Sequence, residues 1–193
     1  MKRRDLSDNT QSEKYVILLK TANNANQSYH FAYIFSKLRQ TINIKSGEKT
    51  MKKETEKLLR ECTSGTKMGE HVLELALSQT KNSELKSALE NAIKTHAILG
   101  DEARKMLFSA HKREKDPSPI ILMMSDAKMK AKMLANGSSS TIASLITDGC
   151  DMGAKTISHY LNMYSGASDQ AKSLANKIIS AEDDLRHRLR PYL

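Results

Sequence analysis

From about residue 52 onward, apolar and small residues return at alternating steps of three and four, the interval that lines one face of an α-helix. Leu58, Cys62, Gly65, Gly69, Val72 and Ala76 mark such a face in a first helix expected from about Lys52 to Ser78. Lys81-Asn82-Ser83 interrupts the pattern and offers helix caps, with Glu84 suited to the positive end of the helix that follows. Leu85, Leu89, Ala92, His96, Leu99, Ala103 and Met106 then form a regular seam, which Asp116-Pro117-Ser118-Pro119 brings to a stop. The connection to the next long helix, at about Ser139, is long, and Ile120 to Leu134 predicts an extra helix within it.

Asn136-Gly137-Ser138-Ser139-Ser140 is a capping loop. A third long helix follows with Ile142, Ile146, Gly149, Met152 or Gly153, Thr156 or Ile157, Tyr160 and Tyr164 on its inward side. Ser165-Gly166 closes it, and Ser168 opens a last helix whose inward stripe is Ala171, Leu174, Ile178, Ala181, Leu185 and Leu189, ended by Pro191.

Gly65-Thr66-Lys67-Met68-Gly69 returns as Gly149-Cys150-Asp151-Met152-Gly153. Each copy is followed by a polar break and a second helix, ending in Asp101-Glu102-Ala103-Arg104 or Asp183-Asp184-Leu185-Arg186. The expectation is a duplicated helical hairpin. Glycine in a helix interior costs roughly 1 kcal/mol relative to alanine, so paired glycines need a reason. Close approach of a neighbouring helix supplies one; a kink or a notch for a ligand supplies another.

The first fifty residues differ in composition: they hold Tyr15, Tyr29, Phe31, Tyr33 and Phe35 but only one glycine, Gly47. Tyr15 to Leu19 could be a short strand or a helical turn, and Tyr29 to Leu38 a short amphipathic helix. Ser46-Gly47-Glu48-Lys49-Thr50 can be encoded by a purine run resembling a bacterial ribosome-binding site just before Met51. The two readings of 1–50 are a translated leader preceding a natural start at Met51, or a genuine N-terminal extension that is poorly ordered or docked.

The chain of 193 residues is long enough for one domain core, and its net charge is +9. More than half of that excess lies in residues 1–50, and beyond them acidic and basic residues alternate as on solvated helix faces, so nucleic acid is not an expected partner. No apolar run approaches the roughly 20 residues of a membrane span. Cys62 and Cys150 lack a C-x-x-C partner and read as reduced thiols of a cytoplasmic protein. Met123, Met124, Met129 and Met133, interleaved with Lys128, Lys130 and Lys132, read as core filler or as a tolerant surface for a partner or a membrane.

The G-x-x-M-G helix pairs, the D-[ED]-x-R endings and the D-P-S-P break resemble small uncharacterised bacterial proteins of the ferritin-like type. The resemblance implies an all-α, up-down four-helix bundle of two repeated hairpins joined by a long crossover, spanning 51–193. The wider family's di-iron site takes one carboxylate from each of two helices and Glu-x-x-His from each of the other two. Here the set is incomplete: Ile93 precedes His96, Phe108 precedes His111, and Asp184-x-x-His187 lies off the apolar stripe. The expected role is therefore non-catalytic, through protein contacts or self-association, with no cofactor. The alternative is iron or another divalent metal at a degenerate site drawn from His96, Glu102, Asp184 and His187. Phosphate-cradling loops and nucleophile triads are not recognisable in the sequence.

Overall fold

The structure, a computed structural model, describes residues 51–193; the expectations for Tyr15 to Leu19, for Tyr29 to Leu38 and for a leader lie outside the described residues. All regular structure among them is helical: α1 (Lys53–Gln79), α2 (Ser83–Ser109), α3 (Pro119–Ala135), α4 (Ser139–Met163) and α5 (Asp169–Leu189), then a short 3₁₀ turn at Arg190–Tyr192.

The helix starts follow from caps. Asn82 Oδ1 accepts the Leu85 amide at 2.8 Å, Ser138 Oγ the Thr141 amide at 3.2 Å, and Ser168 Oγ the Ala171 amide at 3.3 Å. Each such cap stabilises by about 1 kcal/mol. Pro119 opens α3 at a position where its missing N–H costs nothing. At the end of α2, His111 takes φ 55°, the left-handed conformation, and Lys112 N–H reaches back to the Leu107 carbonyl at 2.9 Å.

Extensive contacts pair α1 with α2 and α4 with α5; α1 also meets α4 and α5, α2 meets α5, and α3 lies against α1 and α4. Ser168 N–H donates to Thr55 Oγ1 at 2.9 Å, so α1 and α5 begin at the same end. Lys112 reaches Glu56 at 3.1 Å, which places the end of α2 there as well. From that end α3 carries the chain back along α1 to the start of α4.

The segment entering α3 is laced to α1. Lys67 Nζ binds Asp116 at 2.5 Å and Glu114 at 3.0 Å, Lys115 Nζ binds Glu61 at 2.6 Å, and Lys115 N–H donates to Thr63 Oγ1 at 3.1 Å.

Two apolar clusters fill the interior. One gathers Leu58, Leu59, Leu99, Leu107, Leu174 and Ile178, the other Leu73, Leu85, Leu89, Ile142, Ile146 and Leu189. Between them in sequence on each long helix sits one residue of a different kind: Gly69 on α1, His96 on α2, Gly153 on α4 and Glu182 on α5.

The inward faces differ from the pattern in instructive places. Thr55, Thr63 and Thr66 are buried on α1. Thr66 Oγ1 donates to the Cys62 carbonyl at 3.1 Å and Thr63 Oγ1 to the Arg60 carbonyl at 2.9 Å, so neither hydroxyl needs water. Cys150 and Ile157 are buried on α4, whereas Gly149 and Met152 are exposed. A Cβ added at Gly149 would meet nothing within 4 Å, so close helix approach does not account for that glycine. Of the crossover methionines, Met129 is buried filler, while Met123 and Met124 are about two-thirds exposed at 66% and 65%.

A buried histidine–glutamate pair beneath a central cavity

His96 and Glu182 meet between the two apolar clusters, brought together by α2 and α5 from positions 86 apart in the chain. His96 is 2% exposed and Glu182 8%. His96 Nδ1 lies 2.9 Å from the Ala92 carbonyl, which can only accept, so this nitrogen carries a hydrogen. Nε2 lies 3.3 Å from Glu182 Oε1. A single shared proton satisfies that contact, either as imidazolium with carboxylate or as imidazole with carboxylic acid. Burial alone would lower the His96 pKa; the hydrogen bond and charge of Glu182, the Ala92 carbonyl and the charge of Glu70 outweigh it, and the net shift is upward.

Two small residues leave room for the pair. A Cβ at Gly69 would strike the His96 imidazole, and one at Gly153 would fall 2.6 Å from Glu182 Oε1. Nearby, Glu70 Oε1 is buried without a hydrogen-bond partner. Burial raises the Glu70 carboxyl pKa, helped by the charges of Glu74 and Asp101 and opposed by His96 and Arg104.

The same layer opens on one side into a cavity of about 630 Å³ between α1, α3 and α4. Gly65, Met68 and Gly69 line it from α1, and Gly149, Met152 and Gly153 from α4, so both G-x-x-M-G motifs face one space. Ile121, Met124 and Met129 cover it from α3, and His96, Cys150 and Glu182 form its polar floor. The Cys150 thiol pKa is raised by burial, then by the charge and hydrogen bond of Glu182. A second groove, of about 730 Å³, runs between α2 and α5 past His96, Lys177 and Asp184.

The four residues singled out from the sequence as metal candidates are not gathered at one point. His96 is in the buried layer. Glu102 receives Lys177 Nζ at 3.0 and 3.1 Å on the surface, and Asp184 and His187 are exposed on α5. Among the described residues no three His, Cys, Asp or Glu side chains converge as a metal ion requires. His96 in particular has both ring nitrogens engaged, so the residues present do not fit the di-iron arrangement of ferritin-like proteins.

The partners that matter most, Glu182 and Cys150, were not among those candidates. A signal for Glu182 exists: it lies four residues after Ile178 and three before Leu185, squarely in the apolar stripe of α5. Its neighbour Ala181 fits the same interval and is the less costly residue to bury. No family model, no curated protein and no solved structure matches the chain.

Proposed function

We propose that residues 51–193 form a ferritin-like four-helix bundle of two repeated hairpins, cytoplasmic, which acts by binding and not by catalysis. The observation that carries this reading is the His96–Glu182 pair, which takes up the middle of the helices where the ferritin-like family places its metals. The two hairpins with a long helical crossover between them support the family part of the reading, and buried free thiols at Cys62 and Cys150 suit a reducing compartment. No described helix is long and apolar enough to cross a membrane.

In this reading the protein works through protein contacts, self-association among them. Ile120, Ile121, Met123 and Met124 at the start of α3 are all more than half exposed, a concentration of large apolar side chains that favours association.

Elemental analysis of protein purified from iron-rich growth, together with its mass in solution, tests the proposal. A folded, metal-free protein in a discrete oligomer is the expected result. Stoichiometric iron, manganese or zinc that is lost on His96→Ala would overturn it in favour of a metal-binding bundle.

A further inference from the structure

One helical glycine of the second motif asks for an explanation that packing does not give. Gly149 lies well inside α4, where glycine is less favourable than alanine, yet a side chain there would enter open space. That open space is the cavity under α3. At about 630 Å³ it is several times the roughly 150 Å³ that suffices for benzene.

Its lining defines a ligand chemistry. The walls are apolar and rich in thioethers from Met68, Met124, Met129 and Met152, which adapt in shape and make favourable contacts with aromatic rings. The floor is different. Glu182 is more than nine-tenths buried, and a carboxylate offers about four acceptor positions. His96 meets one at 3.3 Å, and the Cys150 thiol, whose pKa the Glu182 charge helps to raise, lies beside it. Acceptor positions beyond the one that meets His96 remain on a buried group that lines the cavity, and a ligand donor can use them. While the His96–Glu182 pair shares one proton it is neutral as a unit, and an uncharged donor is then matched better than an ammonium or a carboxylate.

We infer that the cavity is a binding site for a small, mostly apolar, aromatic molecule bearing one neutral hydroxyl, with the ring against the methionines and the hydroxyl donating to Glu182. This site does not depend on the ferritin-like reading, since it follows from α1, α3, α4 and the buried pair alone.

The test is a titration of the full chain with 2-naphthol, followed by the probe's own fluorescence, which no tryptophan obscures because the chain has none. Naphthalene, the same ring system without the hydroxyl, is the comparison. Saturable binding of one 2-naphthol per chain is expected, at least roughly tenfold tighter than naphthalene, as one hydrogen bond to a charged group implies. Gly149→Phe, which adds bulk at a lining position where a Cβ meets nothing within 4 Å, should abolish binding of both probes while circular dichroism shows the helices intact. Glu182→Gln should keep naphthalene binding and shrink the preference for 2-naphthol. No saturable signal with 2-naphthol, equal affinity for the two probes, or undiminished binding by Gly149→Phe would each overturn the inference. The metal content and mass that test the proposed function are read separately from this titration, so one can fail without the other.

Discussion

Gly69 and Gly153 hold the same place in two copies of one motif, yet the side chains they make room for are chemically opposite: an imidazole across from the first, a carboxylate across from the second. Alanine at either position improves helix propensity by up to roughly 1 kcal/mol but drives a methyl group into a partner that is itself pinned. The overpacking term, about 1–3 kcal/mol, is the larger. Gly69→Ala and Gly153→Ala are therefore expected to lower the urea midpoint, whereas Gly149→Ala, with open space before it, is expected to raise it. Denaturant unfolding of the three variants checks this; a gain at all three would mean that the pair tolerates displacement.

The upward shift of His96 fixes the sign of a pH effect. Its folded value lies above the ordinary 6.5, so its contribution to stability is fully present below about pH 6.5 and is lost as pH rises through the higher folded value. Unfolding free energy should fall as pH rises above about 6.5, and the comparison is confined to pH below about 7.5, where free thiols are still largely protonated. In His96→Gln this particular decline should vanish. The measurement is urea unfolding at several pH values, and a wild-type profile no steeper than that of the variant would count against the buried pair as the titrating unit.

Glu70 follows the same sign in a more acidic window. Its carboxyl is shifted upward by burial, so the fold favours the protonated form: the contribution is present below about pH 4.5 and is lost as pH rises through the raised value. Glu70→Gln, which supplies a permanently neutral group of the same shape, is expected to raise the melting temperature at pH 7. The gain should shrink towards pH 4, where the native carboxyl is itself neutral. Thermal melts at the two pH values decide it.

Both thiols should be inert while the chain is folded. Burial, assisted by the charge of Glu61, pushes Cys62 up to about 12, and Cys150 is raised as well. Because the thiolate is the reactive form, alkylation by iodoacetamide at pH 8 should be more than about tenfold slower in native protein than in guanidinium-unfolded protein. Intact-mass kinetics provide the readout, and fast native labelling of Cys150 would mean that its floor position is open to water.

The helical course of the chain was legible because it depends on local chemistry. The seam from Leu85 to Ala103 is continuous and, His96 apart, apolar, and Asn82, Ser138 and Ser168 act as caps where their side chains suggest. The inward threonines of α1 were not legible, since the Thr63 and Thr66 hydroxyls are satisfied by carbonyls of their own helix and Thr55 Oγ1 by the Ser168 N–H, and none of these bonds leaves a trace in an apolar pattern. Nor was Glu182. Helical periodicity admits both Ala181 and Glu182, and what makes the carboxylate tolerable is an imidazole contributed by a different helix. The paired glycines were ambiguous for a similar reason: Gly69 is a matter of contact and Gly149 of empty space, and the distinction depends on where α3 and the neighbouring side chains lie.

The laces from Lys67 and Lys115 to the segment ahead of α3 are ionic and partly wetted, while the helices that α3 spans are joined by hydrocarbon. Salt screens the first kind of bond and leaves the second intact or strengthens it. The leading end of the cover is thus fastened by a different force from the walls, while Met129 anchors the rest of α3 in the apolar interior. A halophilic environment would loosen that leading end with the frame intact, and a dilute one would tighten it.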